Sequence, residues 1–463
     1  MGSKMTNRLD FRAPTPKQLS FPEINDQPIS TNGSASFNDP AFAGNKVLPV
    51  HRWVPWIAGF SSDFVRDVLE RYANDNSTVL DPFSGVGTTL VEATLFGYNA
   101  YGFEINPYAA LASRVKATSH KINAAIFDEY IKEFKGFYAE KANSDYLPHS
   151  HPPQGFKTRS PFYSPQVLNK VLIFLDYLAL IQVTDMRDLF RLAFASTMVS
   201  YSNYSYEPSL GRRVSAGKNE ILDYPVGEVI SKKLIEFAED IKWFQANRPN
   251  KETEFKVIEA SFFEVEKHLA SESVDLIITS PPYLNNYHYN RNTRPHLYWL
   301  DFAKQPSDFK ELEVSNFGKY WQTVREQERV ELDFCLAGTD LTQKLDLLRT
   351  QKPEKGIYGG KGWANYAASY FNDCYKFVSG IKYALKPGGS ALVVIGNSIL
   401  QGVLMPTDQY LGNIAEKVGL ELAGIDIPRA TRVGNSIIQS NVRTVKAKKS
   451  HQLYEAIVQL RKL

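Results

Sequence analysis

Short apolar, β-branched runs recur near both ends of the chain, and stretches with helical periodicity fill the space between them. Ser77-Thr-Val-Leu80 is followed by Asp81-Pro-Phe-Ser-Gly-Val-Gly-Thr-Thr89, by a periodic stretch from Thr88 to Phe96 closed at Gly97, and by Ala100-Tyr-Gly-Phe103. Strand, helix and strand in about thirty residues read as one βαβ unit, since continuous apolar runs suit parallel strands buried on both faces. Upstream, Ser61 or Ser62 offers an N-cap for a helix over Ser62–Tyr72.

The alternation returns at Phe255-Lys-Val-Ile-Glu259 and at Val274-Asp-Leu-Ile-Ile278. It then gives a helix over Tyr366–Leu385, a Lys386-Pro-Gly-Gly389 turn, a buried strand Ser390–Ile395, a helix over Thr407–Val418 and a terminal strand Tyr454–Leu460. The pattern predicts an α/β fold: a Rossmann-like sheet with helices on both faces and mostly helical insertions. Residues 1–48 are polar and rich in Pro, Asn and Ser, and read as an arm. Residues 49–116 and 251–290 hold two loop-bearing parts of the sheet, and 366–463 its last part. Segments 117–250 and 291–365 read as insertions. The first has helical periodicity at Val167–Ile181 and Arg187–Met198, and a polar, aromatic loop around Tyr201–Tyr206 and Leu210–Arg213.

Bulk composition narrows this modestly. The 463 residues are 43% apolar, with 25 Tyr and 28 Phe, enough for one large core or two. A net charge of +3 means that any polyanion must meet a local basic patch. Cys335 and Cys374 can make neither a disulfide framework nor a four-cysteine zinc site; no metal site and a reducing cytoplasmic setting are expected. No run of about 18 apolar residues suggests a membrane span.

Two loops carry the candidate chemistry. In Asp81–Thr89, Gly85 and Gly87 permit positive φ and close backbone approach, and the helix starting near Thr88 turns its free N–H groups toward a ligand. Glu104, 23 residues after Asp81, ends the next strand where an acidic side chain takes ribose hydroxyls. The loop lacks a P-loop lysine. Asp81 sits badly against a pyrophosphate but attracts the cationic end of an adenosine bearing a sulfonium and an amino acid. In Thr279-Ser-Pro-Pro-Tyr283 the prolines fix φ and remove donors, which leaves the Ser280 and Pro281 carbonyls and the Ser280 hydroxyl as rigid acceptors for an exocyclic amino group. Tyr283 offers a stacking face for a planar base.

With these strings the chain resembles the S-adenosylmethionine-dependent amino-group DNA methyltransferases. Asp81–Thr89 is similar to their cofactor motif, and Ser280-Pro-Pro-Tyr283 to their catalytic motif in the form typical of cytosine-N4 enzymes; adenine-N6 enzymes more often carry Asp or Asn at the first position. The resemblance covers roughly residues 50–116, 255–290 and 370–463 and implies a class I methyltransferase sheet. It implies catalytic roles for Ser280, Pro281, Pro282 and Tyr283. It also implies cofactor contacts from Asp81, Pro82, Phe83, Gly85, Gly87, Thr88, Thr89, Glu104 and Ile105. The aromatic stretch Val50–Phe60, with Trp56, looks like the segment lying over the methionine end. The family's acidic residue after the third strand is missing: Ala260 takes its place, which leaves Ser261 or backbone at the adenine.

The implied partners are double-stranded DNA, with a flipped target base, and a separate restriction endonuclease of a restriction–modification system. Expected DNA contacts are Tyr287, Arg291 and Arg294 after the catalytic loop, and Arg212 and Arg213 in the first insertion; a solvated surface loop is the alternative for the last two. Adenine-N6 methylation of DNA, RNA base methylation and an inactive DNA-binding subunit are the competing functions.

Overall fold

The computed structural model describes residues 37–56, 59–206, 209–284, 289–431 and 453–463. The predicted βαβ unit is present as β1 (Thr78–Asp81), helix α2 (Thr88–Leu95) and β2 (Asn99–Phe103), preceded by α1 (Ser62–Tyr72) and followed by α3 (Pro107–Thr118). Ser61 is the α1 N-cap, its hydroxyl accepting the Asp63 N–H. Asn106 caps α3 in the same way, with Pro107 pre-set for the first helical position.

The first insertion holds α4 (Ala124–Ala142), α5 (Pro165–Leu180), α6 (Thr184–Thr197) and α7 (Val226–Asn247). Between α6 and α7 the expected loop is instead an antiparallel hairpin, β3 (Tyr204–Tyr206) with β4 (Leu210–Arg212). Its alternating aromatic and polar residues suit a strand with one packed face, which the turn-rich composition concealed.

The sheet resumes with β5 (Phe255–Ile258), then a short α8 (Val265–His268) and β6 (Val274–Thr279). The second insertion carries α9 (Tyr289–Trp299), α10 (Asp308–Ser315), α11 (Trp321–Val324) and α12 (Leu341–Thr350). Helix α13 spans Gly360–Ala384 and so starts six residues before the expected Tyr366. Its glycine-rich start is needed for packing: a Cβ on Gly360 would lie 1.7 Å from the Leu348 carbonyl oxygen. Strand β7 (Leu385–Gly396) absorbs the Lys386-Pro-Gly-Gly389 turn, with Gly388 at φ +81°. A small hairpin of β8 (Ser398–Leu400) and β9 (Val403–Met405), then α14 (Thr407–Val418), β10 (Glu421–Thr431) and β11 (Leu453–Arg461) complete the described elements.

The seven-stranded sheet has the order β10-β11-β7-β6-β1-β2-β5. Neighbours from β5 to β7 pair in parallel, and β11 runs antiparallel between β7 and β10. The chain builds outward from β1 through β2 to β5, then returns to lay β6 on the other side of β1. Ligands of open α/β sheets bind beyond the carboxyl ends of the strands where such a reversal occurs.

Alternate residues of each strand face opposite layers. Val79 joins the core formed with α1–α7 and the first insertion, and Leu80 joins the core under α13, α14 and the second insertion. The expected arm needs a new boundary. Residues 1–36 lie outside the described residues, but Phe37 is only 6% exposed and packs on Phe64 and Tyr72, and buried Asn45 donates to the Phe60 carbonyl and accepts the Ser62 N–H. A polar composition hid this segment because the buried Asn45 is spent on another segment's backbone.

Candidate functional site

The two loops singled out in the sequence meet at the reversal point between β1 and β6. The Thr279 hydroxyl donates to Asp81 Oδ1 at 2.7 Å, across 198 residues of chain. The same oxygen accepts the Phe83 N–H at 3.0 Å. One strand position earlier, the Thr89 hydroxyl donates to the Ile278 carbonyl at 3.3 Å. Both loops are therefore fixed to each other before any ligand arrives.

Asp81 is fully buried, and its Oδ2 has no hydrogen-bond partner among the described residues. Burial raises its carboxyl from 3.8 to about 6 against the bonds from Thr279 and Phe83. A desolvated carboxylate with an unused oxygen suits a cation, which would restore the lost solvation.

The glycine loop has little freedom to change. Gly85 and Gly87 have φ of +50° and +81°. Gly87 is the left-handed N-cap of α2, and a Cβ there would sit 2.7 Å from Ser113 Oγ. A Cβ on Gly85 would be 3.4 Å from Trp56 Nε1, so Trp56 lies against this loop. Pro82, Thr88 and Thr89 are buried, and Phe83 is half-buried.

Glu104 closes the side of the loop. Its carboxylate accepts the Gly85 N–H at 2.9 Å and the Asn106 N–H at 2.8 Å. Burial, with the Asp81 charge adding to it, pushes the carboxyl up to about 7. Ile105 follows, half-buried. Glu259 is turned away and pairs with Arg114 at 3.0 Å. The Ser261 hydroxyl accepts the Phe263 N–H and donates to the Ser315 carbonyl at 3.1 Å.

Beside this cradle stands the Ser280 loop. Ser280, Pro282 and Tyr283 are half-buried and Pro281 is buried. The Pro282 carbonyl accepts the Tyr370 hydroxyl at 3.1 Å, which anchors the loop to α13. The Tyr283 ring rests on the Gly396 backbone, where a Cβ would come within 2.9 Å of two ring carbons, and its hydroxyl donates to Glu455 at 3.3 Å.

Several residues that support the site left no trace in the sequence pattern. Lys116, 1% exposed, donates to the Val86 carbonyl at 2.8 Å in the middle of the glycine loop, and burial pulls its amine down to about 7. Nearby, His51 and Arg66 both bond the buried Glu92 carboxylate, at 2.6 and 2.8 Å. Burial works against that carboxylate, but these two partners outweigh it and hold it below the ordinary range. From the second insertion, Phe317 packs edge-on against Phe83 and against Tyr370. Segment 315–317 of the second insertion thus backs the glycine-loop side, a contact no periodicity in the sequence announces. Among the described residues no cluster of His, Cys, Asp and Glu could hold a metal ion.

The expected DNA contacts divide. Arg212 and Arg291 are exposed. Arg213 is half-buried, its Nε donating to the Asn219 carbonyl at 2.9 Å. Arg294 donates to the Lys157 carbonyl at 3.1 Å and lies over the Phe156 and Tyr298 rings, a packing role. Tyr287 lies outside the described residues.

A family model for N6/N4 amino-group enzymes, described as DNA methylase, matches residues 43–114, which contain the glycine loop and Glu104. Over most of its length the chain is similar to three type II methyltransferases. M.BsoBI of Geobacillus stearothermophilus is 25% identical, over 82% of this chain and 80% of that one. M.AvaI of Nostoc sp. is 24% identical over 86% and 84%. M.MvaI of Kocuria varians is 23% identical over 78% and 79%. With the strand order and the paired loops at its reversal point, these similarities support the S-adenosylmethionine-dependent amino-group DNA methyltransferases as the family the chain resembles.

Proposed function

We propose that the protein methylates the exocyclic N4 amino group of a cytosine flipped out of duplex DNA, at a specific sequence and within a restriction–modification system. The observation that carries this reading is the direct bond between the two loops, Thr279 to Asp81, which sets an acceptor-lined slot beside the cofactor cradle.

The residues present fit S-adenosylmethionine: an unpartnered buried carboxylate oxygen at Asp81, glycines where side chains would collide, and Glu104 at the end of β2. When bound, S-adenosylmethionine supplies an electrophilic methyl group on a sulfonium. Asp81 would face its cationic end, Glu104 its ribose, and Trp56 would cover the glycine loop. Phe83, backed by Phe317, and Ser261 would border the adenine.

The chain's part in the chemistry is to improve a poor nucleophile and aim it. An amino group conjugated with a base holds its lone pair in the ring. Ser280 and the Pro281 carbonyl accept its two hydrogens, which draws the nitrogen toward sp³ and fixes its direction; positioning of this kind supplies much of a rate. Tyr283, seated on Gly396 and steered by Glu455, stacks on the flipped ring. The proton left on nitrogen after transfer is acidic and passes to water. A serine, rather than a carboxylate, in the first position of the slot favours cytosine over adenine. The relatives' shared type II designation supports a separate restriction endonuclease as functional companion.

The test is digestion of DNA treated with the protein and S-adenosylmethionine, compared by mass spectrometry with N4-methylcytosine and N6-methyladenine standards. N4-methylcytosine is expected, with turnover lost in Tyr283→Ala while cofactor affinity is kept. N6-methyladenine alone would overturn the base, and methylation of RNA but no DNA would overturn the substrate.

A further inference from the structure

The first insertion reaches the expected DNA side by an unforeseen route. Segment 155–160 runs back along α9 toward the Ser280 loop. A Cβ on Gly155 would meet a Tyr298 ring carbon at 2.9 Å, while one turn earlier Arg294 bonds the Lys157 carbonyl at 3.1 Å. Beyond it the Ser160 backbone bonds the Tyr204 hydroxyl at 3.4–3.5 Å, and Tyr204 pairs across the hairpin with Arg212. The hairpin is itself bonded to the start of α9. The Tyr206 hydroxyl donates to the Asn292 carbonyl at 3.0 Å, and the Leu210 N–H donates to Asn292 Oδ1 at 2.9 Å. Asn106, the α3 N-cap shortly after β2, donates to Thr293 at 2.7 Å and fixes that start above the strand ends.

Three chain segments therefore share one rim. Lys157, Arg159 and Arg212 are exposed there, and among the described residues no carboxylate pairs with them, unlike the Lys170–Asp223 and Lys242–Asp128 pairs on the same insertion's helices. Lys157 extends from a backbone whose carbonyl is tied down by Arg294, so the segment is held while its cation stays in solvent. Unpaired cations on an ordered rim beside a base-sized slot suit the phosphates flanking a flipped nucleotide, which position a duplex without reading its sequence.

We propose that Lys157 and Arg159 contact the phosphate backbone of the DNA substrate and join Arg212 and Arg291 in one rim. This rests on the DNA reading above.

The experiment measures binding of a random-sequence duplex of about thirty base pairs across salt concentration, by fluorescence anisotropy, for the full chain and for Lys157→Ala/Arg159→Ala. A control of equal charge change, Lys132→Ala/Lys135→Ala, alters exposed lysines of α4. Losing two phosphate contacts should reduce the slope of log K against log salt by about 1.8 and weaken binding tenfold or more at about 0.1 M salt. S-adenosylmethionine affinity should be unchanged, and the control should match the parent. A rim variant with the parent's slope, or a control that loses as much, overturns the proposal. A parent that binds S-adenosylmethionine but no duplex overturns the DNA reading itself.

Discussion

Asp81→Asn separates the electrostatics of the site from its function. The folded carboxyl stands at about 6 and the unfolded one near 3.8, because burial strips solvent from the charge. That difference corresponds to about 3 kcal/mol against the ionised folded state. The folded group binds its proton more tightly than the unfolded one, so folding takes up a proton between the two values. Stability contributed by this group is full below about pH 4, falls as pH rises through about 6, and is flat above. Asparagine keeps an oxygen for Thr279 and the Phe83 N–H and carries no charge. Its amide nitrogen would occupy the place of Oδ2, which has no partner, at a constant cost of roughly 1–3 kcal/mol. The offset between variant and parent can thus have either sign, but its pH dependence cannot. Relative to the parent, the variant should gain about 1 kcal/mol between pH 5 and pH 7. Urea unfolding of both proteins without cofactor, at several pH values, measures this. A difference that stays flat or shrinks with rising pH would refute the account of Asp81 as a desolvated charge. The variant should also bind S-adenosylmethionine more weakly at neutral pH, having lost the attraction for its cationic end.

S-adenosylmethionine affinity of the parent should fall as pH drops through about 7, because Glu104 takes up a proton there and loses its charge. In calorimetry Glu104→Gln should flatten that dependence, whereas Glu104→Ala should weaken binding roughly tenfold through loss of a charge-assisted bond worth about 1.5–3 kcal/mol. Lys116→Met removes the only side-chain donor to the Val86 carbonyl among the described residues. It should raise the Kd for S-adenosylmethionine about fivefold, the worth of one hydrogen bond, with kcat kept at saturating cofactor; an unchanged Kd would show that the loop holds its shape without it.

The sequence by itself determined what is local. The Ser61 cap, the βαβ unit, the glycine loop with Glu104 after the next strand, and helix Thr407–Val418 all follow from periodicity and turn chemistry over a few residues. These local signals place both loops at strand ends and so carry the resemblance to the family's two motifs. They were less secure where a local signal was ambiguous. The hairpin at Tyr204–Arg212 is too short and too polar to read as strands, and α13 begins in glycines that ordinarily break helices but are required here by the Gln351 and Leu348 carbonyls against them. Only the tertiary structure decided which distant groups meet. The Thr279–Asp81 bond, Lys116 under Val86, Phe317 behind Phe83 and the packing of Arg294 on Phe156 join segments separated by up to 234 residues. A lone threonine, lysine or phenylalanine has no periodicity to announce its partner. Its role is fixed by the strand order, which sets β6 against β1, and by burial, which turns an ordinary carboxylate or amine into one with a displaced pKa.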